Sequence, residues 1–96
     1  MDQVTITRRG SDAEGEYRAE IAGAADAGVL VWSQAGGIRT AHSTRVPPSL
    51  RGKGIAAALV DALVADARAQ GFRIDPACSY VEAAFARHPE WAALRA

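Results

Sequence analysis

At 96 residues the chain has room for one domain, spanning residues 1–96, and not for two. Eleven basic and eleven acidic side chains cancel, which argues against a general nucleic-acid or membrane-surface binder and leaves only local patches of charge. Apolar residues make up 49% of the chain but 22 of them are alanine, so the core is thin, and burial in a homodimer or against a ligand would support it.

Val4-Thr5-Ile6-Thr7 alternates apolar and polar, as a half-buried strand does. Ser11 to Gly15 is turn chemistry. Tyr17, Ala19 and Ile21 alternate again and predict a second strand. Gly23 to Gly28 reads as a flexible connection, and Val29-Leu30-Val31-Trp32 as a third strand closed by Gly36-Gly37. Ile38 to Val46 is the fourth, with Ile38, Thr40, His42, Thr44 and Val46 on one face if the pleat stays regular. Short links make an antiparallel meander the simplest pairing. Pro47-Pro48 takes the chain out of the sheet.

Beyond Ser49-Leu50-Arg51-Gly52-Lys53-Gly54, the residues Ile55, Leu59, Val60, Leu63, Val64 and Ala67 form one stripe at helical period, and Gly71 stops the helix. Phe72-Arg73-Ile74 is a short fifth strand, parallel to the fourth because a helix joins them. Ser79-x-x-Glu82 has the form of a capping box, predicting a second helix from Tyr80 to about His88-Pro89, with Trp91 and Leu94 in a last apolar turn. The fold class is therefore mixed α/β (α+β) with a largely antiparallel sheet.

Arg51-Gly52-Lys53-Gly54-Ile55-Ala56 is the most informative stretch. Glycines before a helix let the backbone approach a ligand, while the helix's first N–H groups are unpaired and lie at the positive end of its dipole. Such a place suits phosphate. No Asp or Glu occurs from Ala27 to Val60, whereas Arg39, Arg45, Arg51 and Lys53 all do, so a locally cationic segment surrounds the loop. The spacing is neither a Walker loop nor a dinucleotide fingerprint, and a plain glycine-rich turn with solvated cations reads equally well from these residues.

Val46-Pro47 followed by Arg51-x-x-Gly54-x-Ala56 resembles the coenzyme A pyrophosphate loop of the GNAT superfamily of N-acetyltransferases. Pro76-Ala77-Cys78-Ser79-Tyr80-Val81 and Arg87-His88-Pro89-Glu90-Trp91 are similar to segments of its small single-domain members, and the resemblance covers nearly the whole chain. It implies a shortened GNAT-like fold whose fourth and fifth strands are parallel and splay apart around a central helix, with a second helix at the C-terminus. It also implies acetyl-coenzyme A as acetyl donor, bound between the splayed strands. Backbone groups of Gly52, Lys53, Gly54, Ile55 and Ala56, with Arg51, would hold the pyrophosphate, and the backbone near Val46 would bond the pantetheine arm and polarise the thioester carbonyl.

One departure stands out. Small relatives often read His-Thr-Glu-Val-Pro where this chain reads Ser43-Thr44-Arg45-Val46-Pro47, so Arg45 replaces a carboxylate that could act as base. His42 lies one residue earlier and, on a regular pleat, faces away from Ser43. Cys78 precedes a helix start, which favours thiolate, although it also reads as an apolar staple toward Ala83. The resemblance makes Tyr80 a candidate proton donor to the departing thiolate, while its position alone reads as a half-buried aromatic at a helix start. His88 reads as a structural C-terminal cap.

Two functions of different class follow: acetyl transfer to a primary amine on a small molecule or protein, by direct attack or through acetylated Cys78, and coenzyme A binding without catalysis. Nucleic-acid binding through the Arg39–Lys53 segment is a weaker third, because no aromatic stacking platform accompanies it. A single cysteine and two distant histidines offer no internal disulfide and no zinc-type ligand set. Neither a membrane span nor a secretory signal is expected, and the expected compartment is cytoplasmic.

Overall fold

The computed structural model describes residues 3–96. Strands β1 (Val4–Gly10), β2 (Glu14–Ile21), β3 (Ala27–Ala35) and β4 (Ile38–Arg45) form the meander. A short 3₁₀ turn (Pro48–Leu50), helix α1 (Ile55–Gln70), strand β5 (Arg73–Asp75), helix α2 (Ser79–Arg87) and a second 3₁₀ segment (Pro89–Leu94) follow. The sheet order is β1-β2-β3-β4-β5, antiparallel except for the parallel β4–β5 pair that α1 connects. This α+β architecture is the one the sequence predicts. No helix among the described residues is long and apolar enough to cross a membrane.

One face of the sheet is packed. Tyr17, Ala19, Ile21, Leu30, Trp32 and Ala41 meet the predicted stripe of α1 in a single core. Each large aliphatic side chain buried this way contributes about 1.5–3 kcal/mol. Gly28 has a different role from the flexible link that its neighbours suggest. It lies in β3 opposite Ala19, and a Cβ there would come 2.5 Å from Ile55 Cγ2 and 3.4 Å from Leu59 Cδ1. Its bare backbone lets the first turns of α1 settle on the strand, which sets where that helix begins.

Arg39 also departs from its surface reading. It is buried, with its guanidinium 3.7 Å from the Trp32 ring centroid and 4.1 Å from that of Phe72. Its Nη1 donates to the Tyr17 hydroxyl at 2.7 Å, Tyr17 donates to Asp66 at 2.8 Å, and Arg8 donates to both Asp66 oxygens. Burial, then the bond to Asp66, pushes the Tyr17 hydroxyl up; burial would raise Asp66 too, but Arg8 and Tyr17 outweigh it and hold the carboxyl low. Arg39 Nε also donates to Gln34 at 2.7 Å, so hydrogen bonds and two aromatic rings meet the buried guanidinium, and Arg39 is withdrawn from the cationic segment around the loop.

The regular pleat expected in β4 breaks at its middle. Val31 pairs with Ser43 and Trp32 with Ala41, so His42 is an extra residue and β4 carries a bulge. The pairing places Ala41 and Thr44 on the helix-covered face with Trp32 and Leu30, and His42 and Ser43 together on the other face with Val31 and Ser33. Thus Thr44 leaves the face of Thr40 and His42, and His42 does not face away from Ser43. The pairing of β4 with β5 covers only Ile38–Thr40 against Arg73–Asp75 and ends just before the bulge.

The capping box does not form. Cys78 is the N-cap of α2, and its carbonyl accepts from the Glu82 N–H at 2.9 Å, so the helix includes Ser79. Glu82 turns instead to Arg95, with Nη1–Oε2 at 2.7 Å. Ala83 is exposed, so no staple joins it to Cys78. His88 is the C-cap of α2; it stacks on Trp91 with ring centroids 4.0 Å apart and lies 3.0 Å from Glu90, a structural role as expected.

Candidate active site

Helix α1 begins without the usual side-chain cap. Gly54 is its N-cap at φ 74°, no side chain bonds the first turn, and no acidic residue sits in it. The first helical bond is from the Ala58 N–H to the Gly54 carbonyl, so the N–H groups of Ile55, Ala56 and Ala57 precede the helical ladder. Gly52 has φ 80°, and both glycines are in the left-handed region that L side chains avoid. A Cβ on either would meet no protein atom within 4 Å. Positive φ and open space together expose the backbone of the loop.

That space is a cavity of about 230 Å³. Val46, Arg51, Gly52, Gly54, Ile55, Ala56 and Tyr80 all border it, which brings together seven of the nine site residues read from the sequence. Arg51 Nε donates to the Val46 carbonyl at 3.2 Å, closing the loop back on the end of β4. Lys53 goes elsewhere, to a separate groove it shares with Ala22–Asp26 and Ser49. The loop's flanking cations therefore do not converge on one point, and the backbone N–H groups remain the common anion-facing element.

Cys78 lies where β4 and β5 part. Its N–H donates to the Ala41 carbonyl at 2.8 Å, and its Sγ is 3.4 Å from Thr44 Oγ1. The side chain is buried. Burial pushes the thiol up, yet the Thr44 hydroxyl and the backbone N–H groups of Val81 and Tyr80 outweigh it, so the thiol lies below the ordinary cysteine value. Thr44 escaped the sequence reading, because its contact with Cys78 spans 34 residues and depends on the bulge.

The glycine-bounded loop has what a phosphate-type anion requires: N–H groups ahead of the helical ladder and room for close approach, in a cavity that Val46 and Tyr80 also border. A family model described as GCN5-related N-acetyl-transferase matches residues 16–94. No curated protein matches the chain.

Proposed function

Because the chain belongs to the GCN5-related N-acetyltransferase family, we propose that it transfers an acetyl group from acetyl-coenzyme A to a primary amine. The observation that carries this reading is the uncapped start of α1, opening onto a cavity that also reaches Val46 and Tyr80. When bound, acetyl-coenzyme A supplies an acyl group activated as a thioester.

The chain's own groups then have distinct tasks. The N–H groups from Gly52 to Ala56, with Lys53 contributing its backbone only, hold the pyrophosphate. Arg51 adds charge at the mouth. The backbone at Val46 orients the pantetheine arm and polarises the reacting carbonyl, a contribution that counts because the developing charge is met by fixed dipoles. Tyr80, bordering the same cavity, supplies a proton to the departing sulfur. Cys78 lines the gap but turns its sulfur to Thr44 and the start of α2, which favours direct attack by the amine over a covalent acetyl-cysteine route. One observation favours coenzyme A binding without catalysis as a second reading: an exposed Arg45, not a carboxylate, precedes Val46.

A thermal-shift titration with coenzyme A, acetyl-coenzyme A and ATP, paired with an acetylation assay over an amine panel, tests both. At about 100 times Kd a native-state ligand stabilises by roughly 2.7 kcal/mol. Coenzyme A and its acetyl form should give that shift, and ATP much less. No shift at millimolar coenzyme A removes both readings, and a shift without transfer to any amine leaves only the second.

A further inference from the structure

The face of the sheet opposite α1 carries a groove of about 590 Å³, within the range of small-molecule sites. Arg9, Glu14, Glu16, Val31, Ser33 and His42 border it. The bulge in β4 is what brings His42 there beside Ser43. His42 Nε2 and Ser33 Oγ are 2.7 Å apart, so the ring is oriented by a neighbour on β3. Two carboxylates face one guanidinium from Arg9, with Arg18 3.4 Å from Glu16 offsetting part of their charge. Val31, 40% exposed, offers an apolar floor. Residues Ala41–Thr44 border both this groove and the gap at Cys78: Thr44 and the Ala41 carbonyl contact Cys78, while His42 and Ser43 face the groove.

We propose that this groove is the acceptor site, that it takes an aliphatic primary amine as its ammonium ion, and that His42 accepts the proton that frees the amine for attack. The inference rests on the acetyl-transfer reading above. Glu14 and Glu16 attract the ammonium, and Val31 receives the alkyl chain. In the tautomer that donates Nε2–H to Ser33, His42 Nδ1 carries the lone pair that takes one ammonium proton. The amine lone pair forms the C–N bond, and the C–S bond breaks with its electrons on sulfur. Tyr80 protonates that sulfur and recovers a proton from the new amide nitrogen, while His42 passes its proton to water. The bare sheet face thus supplies what Arg45 does not.

The test uses the full chain and cadaverine. Without donor, calorimetry should show saturable binding, and the His42 imidazole resonances should shift while those of His88 stay fixed. The double variant Glu14→Gln/Glu16→Gln should weaken cadaverine binding by about tenfold or more. With donor present, His42→Gln should lower kcat by about 10²–10⁴-fold with the amine KM nearly unchanged. Cadaverine that leaves His42 unmoved, a double variant that binds it like the parent, or His42→Gln with full kcat would each overturn the proposal. Coenzyme A binding by thermal shift, measured on the same variants, reports on the donor site separately, so loss of one reading is distinguishable from loss of the other.

Discussion

Two helices start beside the gap between β4 and β5, and they differ in what surrounds their first N–H groups. At α1 the cap is glycine, no side chain bonds the first turn, and the space beyond is open. At α2 the cap is Cys78, Glu82 lies in the first turn, and the N–H groups of Tyr80 and Val81 favour the Cys78 thiolate. No side chain makes a cap hydrogen bond at either start, but the first turn of α2 is filled by a buried thiol and a carboxylate, whereas that of α1 faces open space. The difference teaches that a helix start becomes a ligand site through what is omitted around it.

Closing the open end should have the largest effect. Gly54→Val puts a β-branched side chain at φ 74°, costing about 1–2 kcal/mol or more, and fills the approach to the loop. The stabilisation by coenzyme A should vanish, and a full thermal shift in this variant would place the pyrophosphate elsewhere.

Opening the closed end should do less. Cys78→Ala removes a buried thiol that makes no cap bond and should cost about 1 kcal/mol, whereas Cys78→Ser adds a hydroxyl able to cap the first turn and should cost less. Coenzyme A should still stabilise both variants. The folded thiol is depressed, so its thiolate contributes nothing below the folded pKa, gains as pH rises, and contributes fully above the unfolded value of about 8.5. Denaturant melts should therefore show the Cys78→Ala deficit growing with pH up to that value; a pH-independent deficit would mean the sulfur acts by packing alone.

The smallest effect belongs to Arg51→Ala, which removes one exposed charge from the mouth. Coenzyme A binding should weaken by less than about 1 kcal/mol, and the difference should shrink as salt rises. A salt-independent loss would point instead to its bond with the Val46 carbonyl.

The open end was legible in the sequence, because its signals are local: two glycines, a helical stripe from Ile55 to Ala67 and a stop at Gly71. The parallel strand after α1 followed from connectivity alone. The closed end was not. Ser79-x-x-Glu82 matches a capping box, but the Cys78 N–H bond to Ala41 and the pull of Arg95 on Glu82 shift the cap by one residue, and both are contacts between distant segments. The bulge at His42 leaves no local mark, since one extra residue in an alternating strand changes facing without changing composition. Arg39 looked like a surface cation because Trp32, Phe72 and Tyr17 close around it only in the folded sheet.

The contrast between the two helix starts is tested most directly by an amide ¹H–¹⁵N titration with coenzyme A. The largest shifts should fall on Gly52, Gly54, Ile55, Ala56 and Ala57, with Val81 and Glu82 moving little. Largest shifts at Val81 and Glu82, or none at residues 52–57, would contradict the assignment of the ligand site to the start of α1.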